Sequence, residues 1–191
     1  MTNVLISGKY PEREGTVASE GKAICPFHAA PEPQDIPQYS KTREDESMRE
    51  ALKLLRPTRP DFRLADYSKS FNWSEIDAAF HTHLAAYGHL PLRKQEDLSW
   101  YAVVFRSKRR VDCRDADLFE ADKQAYEEAF KSTNGSLLVY WYAGLDEDHN
   151  CLATCVWSSR DIARSVNSLP RHREAARLSA DVYVHYNIDR C

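Results

Sequence analysis

No run of about eighteen apolar residues occurs anywhere in this chain, which excludes a membrane-spanning helix on length alone. The first apolar run, Val4-Leu5-Ile6-Ser7, stops at Gly8 and is too short for the core of a signal peptide. No charge dominates either: 26 basic residues face 29 acidic ones spread along the chain, a net charge of −3. No basic field is available to gather nucleic acid or an acidic bilayer, so both are excluded as partners. A disulfide framework is also missing, because the five cysteines are odd in number and irregularly placed at 25, 113, 151, 155 and 191. Reduced thiols and a cytoplasmic location are the expectation. Metal-ligand spacing is absent as well. Cys25-Pro26-Phe27-His28 has no second ligand pair at zinc spacing, and His81 and His83, two apart on a helix, point in different directions, with His89 beyond them. Neither a metal nor a cofactor is expected.

What the chain does have is an ordinary hydrophobic fraction of 42% and an aromatic content of 11%, including ten Tyr and four Trp. The first suffices for one sizeable core in 191 residues. The second supplies large amphipathic side chains suited to lining a pocket. Pro11, Pro26, Pro31, Pro33 and Pro37 prevent a long helix or central strand over 8–42, which reads as an extended arm. Met48, Ala51, Leu52 and Leu55 then recur at helical spacing over 43–56, and Pro57 stops them. A second helix is expected from Ser74 as N-cap, through Ile76, Phe80, His83 and Leu84, to Gly88. His83 falls at the edge of its apolar face and His81 in solvent.

From residue 100 onward the pattern is strand, helix, strand, strand, helix, strand. Strands are expected over 100–106, 137–142, 151–157 and 181–187, with helices over 117–131 and from about 160, the latter interrupted at Pro170. That order is the split βαβ pattern and predicts a ferredoxin-like α+β sandwich, a βαββαβ unit of the dimeric α/β-barrel type, with both helices on one face of the sheet. The domain division is 1–66, arm and short amphipathic helix, and 67–191, ferredoxin-like domain with a leading helix. The other sheet face must also be buried. A second copy packing face to face would do this and leave a pocket on the free face, making a homodimer; the N-terminal helices of the same chain are the alternative.

Alternation along the strands sorts the side chains. Trp100 and Arg106 share one side of the first strand, with Tyr101 and Phe105 on the other. Tyr140 and Tyr142 share a side, as do Cys151, Ala153, Cys155 and Trp157, and as do Tyr183, His185 and Asn187. Cys151 and Cys155 stand about 13 Å apart by strand rise, too far to bridge or share an ion, and read as structural thiols. Asp122 reads as a helix-surface acid. The candidate acid/base groups are His172 and His185, with Tyr126 and Tyr142 as hydrogen-bond donors, Arg106 as an anion or enolate partner, and Tyr140, Trp141 and Trp157 as substrate-binding walls.

Trp100 to Phe105, Glu120-Ala121-Asp122 with Tyr126 to Ala129, Leu137 to Tyr142, Asn150 to Arg160 and His172 to Ala175, taken in this order, resemble an uncharacterised, mainly fungal protein family. The wider likeness is to the dimeric α/β-barrel superfamily, which includes antibiotic-biosynthesis monooxygenases, haem-degrading enzymes and polyketide cyclases. Members of the fungal family usually carry His where this chain has Tyr126, so the resemblance implies a hydrogen-bond donor there and a specialised member. The expectation is a cofactor-independent enzyme of secondary metabolism working by proton transfer on a small aromatic or polyketide-like molecule: a cyclase, isomerase, dehydratase or decarboxylase. The alternatives are an oxygen- or haem-using member of the superfamily and a non-catalytic dimeric binding protein.

Overall fold

The computed structural model describes residues 42–88, 98–113 and 115–191. The expected arm up to residue 41, with Cys25 and His28, lies outside them, as does His89.

The first helix, α1 (Arg43–Leu52), opens on a capping box: the Thr42 side chain accepts from the Asp45 N–H at 3.1 Å, and the Asp45 carboxylate accepts in return from the Thr42 N–H at 3.3 Å. Acidic residues in its first turn complement the positive end of the helix. It ends at Leu52, short of the expected 56. The second, α2 (Trp73–Ala85), starts one residue before the expected cap Ser74, after Asn72. The Asn72 side chain does not cap it. It ties the exit of α1 to the entry of α2, accepting from the Arg56 N–H at 2.9 Å and donating to the Leu54 carbonyl at 3.0 Å. His83 is exposed on this helix, as His81 is, and is not an edge-of-core residue.

Beyond residue 100 come β1 (Tyr101–Arg109), α3 (Asp115–Ser132), β2 (Leu137–Tyr142), β3 (Asn150–Trp157), α4 (Arg160–Ser165), α5 (Pro170–Val182) and β4 (Tyr183–Arg190). The strands form a single sheet in the order β2-β3-β1-β4, every neighbouring pair antiparallel. This is the ferredoxin-like βαββαβ arrangement. Asn134 and Gly135, both at positive φ, close α3, and the Ser159 side chain accepts from the Ile162 N–H to start α4. Pro170 supplies the first turn of α5, where its missing N–H costs nothing.

Two departures from the expected strands matter. β1 runs to Arg109 because β3 and β4 both continue to pair with it. β4 carries a bulge: Lys108 pairs with His185 but Arg109 pairs with Tyr183, leaving Val184 as the extra residue, 66% exposed. Tyr183 and Tyr186 therefore point to the same face, with rings stacked 5.3 Å apart, and His185 goes to the other.

The two faces of the sheet are buried differently. On one, α1, α2 and the aromatic connector between them cover β2, β3 and β1. Leu52, Leu55, Phe71 and Phe80 share a core there with Val104 and Leu152. The N-terminal part of the same chain thus occupies the face onto which a second sheet was expected to pack. On the other, α3 and α5 lie side by side, and α4 with the turn that follows it closes the end with Ile162, Ala163 and Val166 around Trp157.

Candidate active site between the helices and the sheet

The helices that cross the second face present small side chains to it. Ala125 and Ala129 of α3 and Ala175, Ala176 and Ser179 of α5 cannot reach across to the strands, so a cavity of about 120 Å³ remains above β1, β2, β3 and β4. The expected pocket on the free face is corrected here: the pocket lies beneath the helices, because the opposite face is filled by the chain's own N-terminal segment.

Strand alternation delivers the floor. Tyr140 and Tyr142 of β2 line it, with Cys151, Ala153, Cys155 and Trp157 of β3. From β1 come Phe105, Ser107 and Arg109, and from β4, by way of the bulge, Tyr183 and Tyr186. The roof adds Phe119, Asp122 and Tyr126 from α3 and His172 from α5. Asp122, Ala125, Tyr126 and Ala129 follow the spacing of one helical face, as do His172, Ala175, Ala176 and Ser179.

Of the expected site residues, His172, Tyr126, Tyr140, Tyr142 and Trp157 meet at this cavity. The other three do not. His185 is exposed on the far side of β4. Arg106 points to the opposite face, where it donates to the carbonyls of Arg63 and Ala65 and lies 3.3 Å from the Asp189 carboxylate. It braces the connector against the sheet. Trp141 is buried in the same layer, edge-on to Phe71 with ring centres 5.2 Å apart.

The one acid and the one Lys or Arg that line the cavity, Asp122 and Arg109, were not among the expected site residues, nor were Ser107, Ser179, Tyr183 and Tyr186. Asp122, expected on the helix surface, accepts a 2.5 Å hydrogen bond from the Tyr140 hydroxyl. Its turn of α3 faces the sheet, so the Asp122 carboxyl meets a strand tyrosine in a half-buried position. Arg109 lies beyond the expected end of the first strand. It is 2% exposed, its guanidinium sits 4.8 Å above the Phe119 ring, and Nη2 reaches the Tyr142 hydroxyl at 3.4 Å. The signal was present: Phe105, Ser107 and Arg109 continue the period of two past the point where the apolar residues stop.

Desolvation sets the proton affinities. Burial holds the His172 imidazole below its ordinary pKa, so it is neutral at pH 7 and free to accept a proton. Burial raises Asp122, against the Tyr140 hydrogen bond and the Arg109 charge, which pull it down. The Tyr140 phenol is pushed well up by burial and by the Asp122 carboxylate, and Tyr183 rises to about 12, chiefly through burial. Both stay protonated donors. Burial also raises the Cys151 and Cys155 thiols, which keeps them from acting as thiolates. Among the described residues no group of three or more His, Cys, Asp or Glu is placed to hold a metal ion, and no helix is long and apolar enough to cross a membrane.

Comparison with known proteins locates the chain. A family model described as PB2B2.08-like matches residues 24–191. The chain belongs to that family. A curated member, UPF0643 protein PB2B2.08 of Schizosaccharomyces pombe, is 29% identical over 137 residues, covering 64% of this chain and 56% of the relative. The chain thus spans little more than half the length of that relative. Solved structures with a similar fold include a Chloroflexus aurantiacus protein assigned to the antibiotic-biosynthesis monooxygenases (19% identity, TM-score 0.40, covering 49% of this chain and 91% of that one). SnoaB, a cofactor-independent oxygenase from Streptomyces nogalater, matches at 14% identity and TM-score 0.40 over 49% of this chain and 92% of its own. A dimeric Bacteroides fragilis protein of unknown function with a ferredoxin-like fold matches at 15% identity and TM-score 0.36 over 48% and 94%. At such identities the likeness is one of fold only, and the assignment of this family member to the ferredoxin-like fold rests on its own strand order.

Proposed function

We propose that this protein is a cofactor-independent enzyme of secondary metabolism that moves a proton on a small aromatic or polyketide-like molecule held between α3, α5 and the sheet. The observation that carries the reading is the convergence, in one mostly apolar cavity, of a neutral imidazole, a short Tyr140–Asp122 hydrogen bond and the Arg109 guanidinium. His172 is the base. Tyr142, whose hydroxyl oxygen accepts from Arg109, donates to the oxygen on which negative charge develops as the proton leaves, while the Tyr140 proton is committed to Asp122. Tyr126, stacked on Tyr140 with ring centres 5.9 Å apart, and Trp157 hold the ring of the substrate. If the protein pairs with a second copy, the homodimer uses a surface other than the covered sheet face.

The test is exchange of substrate C–H for deuterium in heavy water, followed by proton NMR across a panel of small aryl ketones, phenols and β-keto compounds, with no cofactor added. Exchange above background that falls roughly 100- to 10,000-fold in His172→Ala is the expected result. Exchange unchanged in His172→Ala, or oxygen uptake in place of exchange, would overturn it.

A further inference from the structure

The helix that carries His172 begins with little of its own to hold it. The cap position of α5 is Leu169, whose side chain accepts nothing, and the first turn contains no acid. Arg171, His172 and Arg173 instead put basic side chains at the positive end of the helix, where the macrodipole disfavours them. Pro170 has no N–H to satisfy, and Arg173 donates to the Leu169 carbonyl at 3.0 Å. The N–H groups of Arg171 and His172 are therefore the ones at this end that need a partner from outside the helix. Burial does not anchor the first turn either, since Val182, at the far end, is the only one of the thirteen residues of α5 that is buried.

The partner comes from α3. Glu128 reaches across, and its Oε2 accepts from the Arg171 N–H at 2.9 Å. A carboxylate at this point does what a cap residue of α5 itself would do: it satisfies an orphan N–H and sets negative charge against the positive end of the helix. Glu128 does not line the cavity, but His172, the residue after Arg171, does. Helical side chains tilt toward the N-terminus, so the imidazole lies over the same turn that Glu128 pins. Glu128 also shares α3 with Asp122 and Tyr126, so its bond ties the turn bearing the imidazole to the helix bearing those two cavity residues.

We infer that Glu128 is a positioning residue: by capping α5 from α3, it sets where the His172 imidazole stands in the cavity. Its effect on turnover rests on His172 being the base proposed above; its effect on the imidazole does not.

Glu128→Ala and Glu128→Gln, made in the full chain beside Glu127→Ala at the exposed neighbouring position, test it by two readouts. The first is the NMR signals of the His172 ring, identified by their loss in His172→Ala, and it needs no substrate. The second is C–H exchange on the panel of aryl ketones, phenols and β-keto compounds, measured per folded molecule. Glu128→Ala should displace the ring signals and lower kcat roughly 10- to 100-fold with KM little changed, as expected when a reacting group is misplaced without losing contacts to substrate. Glu128→Gln keeps an oxygen that can accept from the Arg171 N–H and should recover most of the loss, and Glu127→Ala should change neither readout. Should Glu128→Ala fail to fold, Glu128→Asp draws the carboxylate back by one methylene and should give a smaller loss of the same kind. Ring signals unmoved in Glu128→Ala and Glu128→Asp, a rise in KM with kcat unchanged, or a Gln variant no better than the Ala variant would overturn the inference. Ring signals that move with Glu128 in a protein that exchanges no C–H on any substrate would leave the positioning role standing and sink the proton-transfer reading. Exchange that needs His172 but is indifferent to Glu128 would do the reverse.

Discussion

The two faces of this sheet are made by the same strands from alternating residues, yet one is a solid core and the other a cavity. On the covered face, Phe62, Phe71 and Phe80 share one buried cluster with Trp141, Val104 and Leu152. On the helix face the strands are the more aromatic, with Phe105, Tyr140, Tyr142, Trp157, Tyr183 and Tyr186 against Trp141 on the covered face, but the helices answer with Ala125, Ala129, Ala175 and Ala176. The difference lies in the layer above the sheet. Aromatic strands alone do not predict whether a face is core or pocket; the size of the residues set against them does.

The contrast can be broken most severely on the solid side. Trp141→Ala should cost about 3–5 kcal/mol by urea denaturation, the usual loss for a large aromatic removed from a packed core. A loss under about 1 kcal/mol would mean that this layer is not the packed one. Arg106→Ala should follow at roughly 1–3 kcal/mol, since the carbonyls of Arg63 and Ala65 lose their donor and the connector its brace to the sheet. Its effect on C–H exchange per folded molecule should be nil, which separates it from Arg109. Ala176→Leu, by contrast, puts a larger side chain into empty space. Stability should change by less than about 1 kcal/mol while C–H exchange falls to background, whereas a large destabilisation would show that the space is not there. The smallest effect concerns His172. Its pKa is lowered by burial, so the unfolded chain takes up this proton more readily than the folded one. The contribution is complete above the ordinary pKa of about 6.5 and is lost as pH falls through the depressed folded value. Asp122, raised by burial, works in the opposite sense, losing stability as pH rises. Comparing His172→Gln with the unmodified protein at about pH 7.5 and about pH 5.5 isolates the histidine, and the variant should lose less stability on acidification.

Most of the architecture could be read in advance because period-two and helical patterns are local. The βαββαβ order, β2 to the residue, and the sides of β1, β2 and β3, which put Tyr140, Tyr142 and Trp157 at the cavity, came from spacing, while Tyr126 and His172 came with the family resemblance. Three things were not local. Which face held the pocket depended on what the N-terminal helices covered. Arg109 and Asp122 were hidden by polarity, since a charged residue past the last apolar one reads as loop, and a helix acid reads as solvent-facing. His185 was misplaced by the bulge, which no periodic rule foresees.

That bulge carries a consequence for comparing relatives of different length. In an unbroken strand, losing one residue carries everything beyond it to the other face, so a single gap would scramble a pocket. Val184 is the surplus residue of β4 and points into solvent. A relative lacking it would have Tyr183 and Tyr186 separated by one residue, on the same face under ordinary alternation. A gap of one at this position is therefore the length change in β4 that keeps both tyrosines over the cavity, and relatives can be aligned across it with their pocket residues still in step.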